Sequence, residues 1–358
     1  MKLTLESISE YQIPHDVIGQ MLDVYQYIGR NDDFFTALDS DLETFVASTI
    51  REDVYFLAMV LDLSVKEERL KALILKDLKP KSHDEIILTK LKHALVRIHE
   101  NIESFELIAN EIVSLMQFIY GDVASAEDLA FDRMEKSPDA MKTLLTSKTM
   151  SKRSALEALV SAYAKAFKNK DLEKGLLASS FYLDFCELNP FKSRNETIGL
   201  LMLYILLLNS NYRCFQLVSF FAIYARLKET FQETKSKAAK NISEGLSNPV
   251  TFHRFILSMS LEGYKTVDSM IKNYQFDHQF NKRDLIENTI KKLPDVFTKE
   301  EVRLQHPSVS ESTVNRTLKR LKAEKKIAPL GKGRSAKWMK LHAKTDKLNL
   351  HEQMRLKF

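Results

Sequence analysis

Residues 15–28 carry Val17, Ile18, Met21, Val24 and Ile28 in steps of three and four, the spacing that puts side chains on one face of a helix. The same period runs through 41–63, DLETFVASTIREDVYFLAMVLDL, and through 84–105, DEIILTKLKHALVRIHENIESF. That third helix either ends there or continues into ELIANEIVSLMQFIYG, where Gly121 supplies a stop signal. Residues 151–170 are strongly amphipathic, with Ser151 placed to cap the N-terminus. Two stretches break the one-sided rule. LEKGLLASSFYLDFCELN (172–189) and TIGLLMLYILLLNSN (197–211) are apolar on nearly every side, which predicts helices in the middle of a bundle. Helices rich in Phe and Tyr follow from Phe215 to about Tyr274.

The pattern changes near Asp277. NKRDLIENTIKKL reads as a helix, FTKEEVRLQH as a shorter one capped by Thr298, and the segment after Ser310 as a third. Val314, Leu318 and Leu321 share one face of that third helix. IAPLGKGRSAKWMKL then offers two short β-like runs around a Gly-Lys-Gly turn, with Trp338 as a plug beneath the wing. Three helices and a hairpin in about 65 residues is the layout of a winged helix-turn-helix.

Composition narrows the field. A chain of 358 residues predicts two or three folding units. Its 44% hydrophobic and 28% charged content is that of a soluble globular protein, and 9 Gly and 8 Pro argue against an all-β fold. Cys186 and Cys214 have no metal-like spacing and read as reduced thiols of a cytoplasmic protein. The first residues lack a basic segment followed by an apolar one, and the run from Ile198 to Leu208 is too short to cross a bilayer, so no membrane partner is expected. Charge is uneven. Residues 281–344 hold 17 Lys and Arg against 7 Asp and Glu, a net of +10, whereas the whole chain is +5. A basic module on a mildly acidic body is the asymmetry of a tethered nucleic-acid-binding domain.

The usual catalytic patterns are absent from the sequence: no Walker loop, HExxH, CxxC pair, GxSxG elbow or dinucleotide-binding glycine turn. None of the nine histidines lies beside the polar tract at Asn189. Catalysis would have to reside in that tract, LNPFKSRNETIGLLMLYILLLNSNY, which feeds directly into the most apolar run of the chain.

This tract resembles the signature of the Fic family, HPFx(D/E)GNGRxxR followed by an apolar helix. Pro190, Phe191 and Asn195 match, with Gly199, the Leu-rich run and Tyr212 beyond them. Upstream, ASTIRED resembles the family's inhibitory helix motif (S/T)xxxE(G/N), with Ser48 and Glu52 matching and Asp53 in place of Gly or Asn. The resemblance implies a mainly α protein: a Fic-like helical bundle followed by a small α+β winged helix domain. Its divisions would be an N-terminal helical region at 1–100 carrying the inhibitory-like segment, a Fic-like core at 101–276, the winged helix at 277–345 and a tail at 346–358.

Fic enzymes transfer a nucleotide, usually AMP from ATP, to a target hydroxyl, and the alignment shows what this chain lacks for that reaction. Asn189 stands where the family histidine takes the hydroxyl proton, so general-base catalysis worth about 10²–10⁴-fold is missing. Ser193 replaces the acidic magnesium ligand. Arg194 and Glu196 replace the two glycines, removing easy left-handed conformations from the anion nest, and Glu196 adds negative charge. Thr197 and Leu200 replace the two arginines. The motif therefore reads as degenerate, with no intact catalytic residue, metal site or cofactor; ATP and magnesium belong to the alternative reading below.

Arg194 either restores a phosphate contact or forms an ion pair with Glu196 or Glu52; Asn195 either touches a nucleotide or caps the following helix. Glu52, which in active relatives would pair with the second arginine, faces Leu200 in the alignment and reads as an ordinary surface or interhelical acid. The helix from Glu311 would present Ser312, Thr313, Asn315, Arg316 and Lys319 to base edges and phosphates, and Lys332, Arg334 and Lys337 would reach the DNA backbone. The leading expectation is thus a cytoplasmic, DNA-binding regulator on a non-catalytic Fic scaffold that dimerises or senses a ligand. Two alternatives stand beside it: an atypical nucleotidyl or phosphoryl transferase using Arg194 and Asn195, and a protein–protein adaptor or dimerisation module.

Overall fold

The computed structural model describes residues 4–8, 12–76, 78–102, 105–133, 151–169, 171–240, 248–278, 282–306, 309–331 and 337–341. Lys332, Arg334 and the tail at 346–358 lie outside them. In chain order the helices are α1 (Thr4–Ser7), α2 (His15–Ile28), α3 (Asn31–Leu38), α4 (Leu42–Val60), α5 (Glu67–Leu75), α6 (His83–Asn101) and α7 (Ala109–Tyr120). They continue as α8 (Lys152–Lys168), α9 (Lys174–Leu188), α10 (Asn195–Asn209), α11 (Phe220–Arg226), α12 (Lys228–Ala239), α13 (Val250–His278) and α14 (Lys282–Lys292). The chain closes with β1 (Val296–Thr298), α15 (Lys299–Gln305), α16 (Glu311–Ala323), β2 (Ile327–Pro329) and β3 (Lys337–Lys340). Two compact units divide it: residues 1–35 with 46–268, and residues 36–45 with 269–358.

The first unit is helical and is organised around α9 and α10. Every residue from Gly175 to Phe185 and from Thr197 to Leu208 is buried, as a helix without a polar face requires. The two helices pack against each other at Gly199, where an added Cβ would meet the Phe185 ring at 3.1 Å. Several polar groups on this pair are matched by specific partners, although among the described residues the buried Ser180 hydroxyl is not. Asp184 accepts hydrogen bonds from the backbone N–H groups of Thr4 and Leu5, at 2.8 and 3.0 Å, which docks α1 onto α9. Ser179 donates to Leu176 O at 3.0 Å and so receives the Nδ1–H of His253, 2.7 Å away on α13. Burial holds His253 neutral, its pKa pushed down to about 3. Glu173 caps α9 by accepting from Leu176 N–H at 2.5 Å, and it also receives the hydroxyls of Tyr212 at 2.9 Å and Tyr25 at 3.1 Å.

The segment 84–121 is two helices and not one. α6 ends at Asn101, and the Ile102 carbonyl accepts from Asn209 Nδ2 at 3.3 Å before α7 begins at Ala109. Ser151 caps α8 as the sequence suggests, accepting from Ser154 N–H.

The second unit contains α14, α15, α16 and an antiparallel sheet of order β1-β3-β2, with Trp338 paired to Phe297 on one side and to Pro329 on the other. Ile286, Ile290, Phe297, Val302, Leu318 and Ile327 belong to its core, and Trp338 packs against that core as expected. Strand β1 escapes sequence reading: three residues directly before a helix cap carry too little alternation to register. Thr298 forms a full capping box with Glu301, and Ser310 caps α16 by accepting from Thr313 N–H.

Gly175 leaves no room for a side chain, because a Cβ there would sit 2.2 Å from the Tyr212 hydroxyl and 2.5 Å from its ring. Gly175→Ala is therefore expected to lower unfolding free energy by roughly 1–3 kcal/mol despite alanine's better helix propensity. Urea denaturation checks this; a stabilised variant would show that Tyr212 moves aside freely.

Candidate functional site

The tract at 189–194 is a tight connection between the two buried helices. Asn189 ends α9 in the left-handed conformation, at φ 45° and ψ 63°, and Arg194 adopts the same region, at φ 66° and ψ 8°, as the N-cap of α10. The left-handed turn thus survives without glycine at position 194, contrary to what the substitutions imply. Asn195 is the first residue of α10, not its cap. Its Nδ2 donates to Phe191 O at 2.6 Å and its Oδ1 accepts from Phe191 N–H at 3.0 Å, locking the loop shut. The neighbouring segment 125–132 completes the closure. Lys192 N–H donates to Ala130 O, Asp132 N–H donates to Pro190 O, and the Phe131 and Phe191 rings meet at 5.1 Å.

The polar side chains from Lys192 to Thr197 each have a partner within the chain. Lys192 pairs with Glu127 at 2.8 Å, and Ser193 donates to Asp128 O at 2.9 Å. Arg194 does not form the expected ion pair with Glu196 or Glu52. Its guanidinium lies over the Tyr120 ring, 4.9 Å from the centroid. Glu196 receives Gln232 Nε2 at 3.1 Å, placing a carboxylate in the first turn of α10, where an anion is favoured. Buried Thr197 hydrogen-bonds Tyr120, and Leu200 is buried. Asn189 is exposed. Among the described residues no group of three or more His, Cys, Asp or Glu could hold a metal ion.

No family model and no curated protein matches the sequence. Solved structures do match the fold. A Fic family protein from Desulfovibrio desulfuricans G20 aligns over 92% of this chain and 97% of its own, with a TM-score of 0.51 and 12% identity. A Fic domain containing signaling protein from Bacteroides thetaiotaomicron VPI-5482 aligns over 71% and 97%, with a TM-score of 0.55 and 12% identity. The chain has the Fic fold.

Within this Fic fold Ser48 and Glu52 lie on the exposed side of α4, while the next residue, Asp53, is fully buried. Sequence reading passed over Asp53, although its departure from the Gly or Asn of the motif was visible. Its Oδ1 accepts from Ser219 Oγ at 2.6 Å and from Phe221 N–H at 3.2 Å, and its Oδ2 lies 3.3 Å from the Tyr204 hydroxyl. Burial pushes its pKa up to about 8. Burial thus favours the protonated acid, and the Tyr204 hydroxyl bridges Asp53 Oδ2 and His99 Nε2, the latter at 2.6 Å. Burial also holds His99 neutral, at about 4.

On the second unit Ser312, Asn315, Arg316 and Lys319 of α16 are exposed, and Lys337 of β3 is too. The hydroxyls of Ser312 and Thr313 gather at the cap, each 2.9 Å from Ser310 Oγ. Glu311 is neutralised by Lys299 at 2.5 Å and Arg303 at 3.7 Å.

An unfolded Asp titrates near 3.9, so folded Asp53 holds a proton that the unfolded chain releases. Its contribution to stability is full below about pH 4 and is lost as pH rises to about 8. His99 and His253 act with the opposite sign, but below pH 6.5. In Asp53→Asn the amide oxygen can still accept from Ser219 and Phe221 while its NH₂ donates to Tyr204. Between pH 6.5 and 8.5 the wild-type melting temperature should fall more steeply than that of the variant; parallel curves would refute the assignment.

Proposed function

We propose that this chain is a cytoplasmic DNA-binding regulator whose Fic-fold scaffold does no nucleotide transfer, its C-terminal unit acting as a winged helix. The observation that carries the reading is the allocation of charge on and around α16. Arg320, Lys326, Lys299 and Arg303 are engaged with Glu287 or Glu311 inside the unit. Among the described residues Arg316 and Lys319 make no such pair, and they stand exposed on the helix with Asn315. Two free cations and an amide on one helical face suit guanine and adenine edges and flanking phosphates in a major groove. Lys337, with Lys332 and Arg334, would add backbone contacts from the wing.

Duplex-DNA binding is expected to weaken linearly in log–log plots against salt. Arg316→Ala with Lys319→Ala should lower affinity by about 10- to 100-fold and reduce the salt slope by about 2. Fluorescence anisotropy at several salt concentrations measures both; unchanged affinity in the double variant would reject the reading.

A second reading, an atypical transferase, draws on one feature: the exposed guanidinium of Arg194 at the N-terminus of α10. Against it stand the Tyr120 contact, the carboxylate of Glu196 already in the first turn, and Asn189 in place of a base. Incubation with labelled ATP and magnesium is expected to leave the protein and added polypeptides unlabelled. Label that disappears in Asn195→Ala would establish the transferase instead.

A further inference from the structure

A cavity of about 260 Å³ lies among α6, α7 and α10. Its walls are mostly apolar, with Ile112, Phe118, Met202 and Ile205 among them, and two opposite charges that are also exposed to solvent belong to its lining: Arg97 on α6 and Glu111 on α7. Among the described residues neither makes an ion pair, so both charges remain available to a ligand. Arg97 lays its guanidinium on the Phe118 ring, 4.6 Å from the centroid, which fixes the plane of the group and leaves its N–H edge to hydrogen-bond.

We infer that this cavity binds a free amino acid with a large apolar side chain, its carboxylate on Arg97, its ammonium group on Glu111 and its side chain on the apolar floor. Size sets the class. A dry cavity of about 150 Å³ admits benzene, so 260 Å³ accommodates one aromatic ring with a short charged arm. Charge sets the rest. A simple carboxylic acid would satisfy Arg97 and meet repulsion from Glu111, a simple amine the reverse, and a zwitterion matches both. Most of the lining is the apolar and aromatic surface usual for a small-molecule site, with a few polar groups to orient the ligand. Occupancy would also reach the centre of the fold, because Met202 and Ile205 belong to the same helix that Asn195 begins. The inference stands on the cavity alone and does not rest on DNA binding.

Isothermal titration of the full chain with L-phenylalanine is the test, with phenylacetate and phenethylamine as ligands lacking one charge each. Saturable binding of phenylalanine in the range of ~0.1–1 mM is expected, with each truncated ligand at least ~10-fold weaker. Arg97→Gln should abolish the advantage of phenylalanine over phenethylamine, and Glu111→Gln its advantage over phenylacetate, with melting curves confirming that both variants fold. No saturable binding to the wild type, equal binding of phenylacetate and phenylalanine, or undiminished affinity in both variants would each overturn the proposal.

Discussion

A helix with no polar face can persist in water only if other helices cover every side of it, and α10 is such a helix. From Thr197 to Leu208 it has no exposed residue, and α9 beside it is buried from Gly175 to Phe185. At about 1.5–3 kcal/mol for each fully buried large side chain, this pair supplies a large share of the stabilisation available to the first unit. The same burial sets a condition on every polar atom the pair carries, since an unpaired one costs about 1–3 kcal/mol. Asp184, Ser179 and Tyr204 are met by backbone N–H groups of the N-terminal turn, by His253 and by Asp53 with His99. The outer helices are thereby held to the centre by specific bonds as well as by apolar contact.

That constraint explains the loop at 189–194. Two buried helices must be joined in five or six residues, and the joint needs left-handed residues whether or not it binds anything. Arg194 at φ 66° costs roughly 1–2 kcal/mol without glycine's freedom. Its stacking on Tyr120 returns about 0.5–1 kcal/mol, and the two Asn195 bonds to Phe191 about 0.5–1.5 kcal/mol each. These terms suffice to keep the turn without a bound ligand. A loop that in a phosphate-binding protein would be shaped for an anion is here shaped by contacts within the chain, with Glu196 as its own anion at the helix end.

Much of this was legible in the sequence because it follows from period and end signals. The burial of α9 and α10 follows from apolar residues on all sides, and the caps at Ser151, Thr298 and Ser310 from hydroxyls placed before a periodic run. Contacts between residues far apart in sequence were not legible. Nothing in the local pattern couples Arg194 to Tyr120, Lys192 to Glu127 or Asp53 to Ser219. Strand β1 belongs with these: its three residues become a strand because β3 lies beside them, and the sequence places β3 about 40 residues away.

Lysine use shows why a count of charges is a poor guide to a binding face. Lys174 donates to the carbonyls of Phe167 and Asn169 at the end of α8, Lys152 to Leu188 O at the end of α9, Lys228 to Val60 O at the end of α4, and Lys92 to Leu73 O in the last turn of α5. In the second unit Lys340 does the same for Lys291 O and Leu293 O after α14. Each places a cation at the negative end of a helix and satisfies carbonyls that have no intrahelical donor. The basic excess of residues 281–344 is divided in the same way. Glu287, held below the usual carboxylate range by its hydrogen bond from Lys326, gathers Arg320 and Lys326 around it, and the helix end takes Lys340. What a nucleic acid would meet is therefore not the net of +10 but the few cations left without an internal partner. Among the described residues, Arg316, Lys319 and Lys322 are such cations on α16, beside Asn315, and Lys292, Lys325 and Lys337 are others outside it. The charge that remains is thus concentrated on that helix in a way the total cannot show.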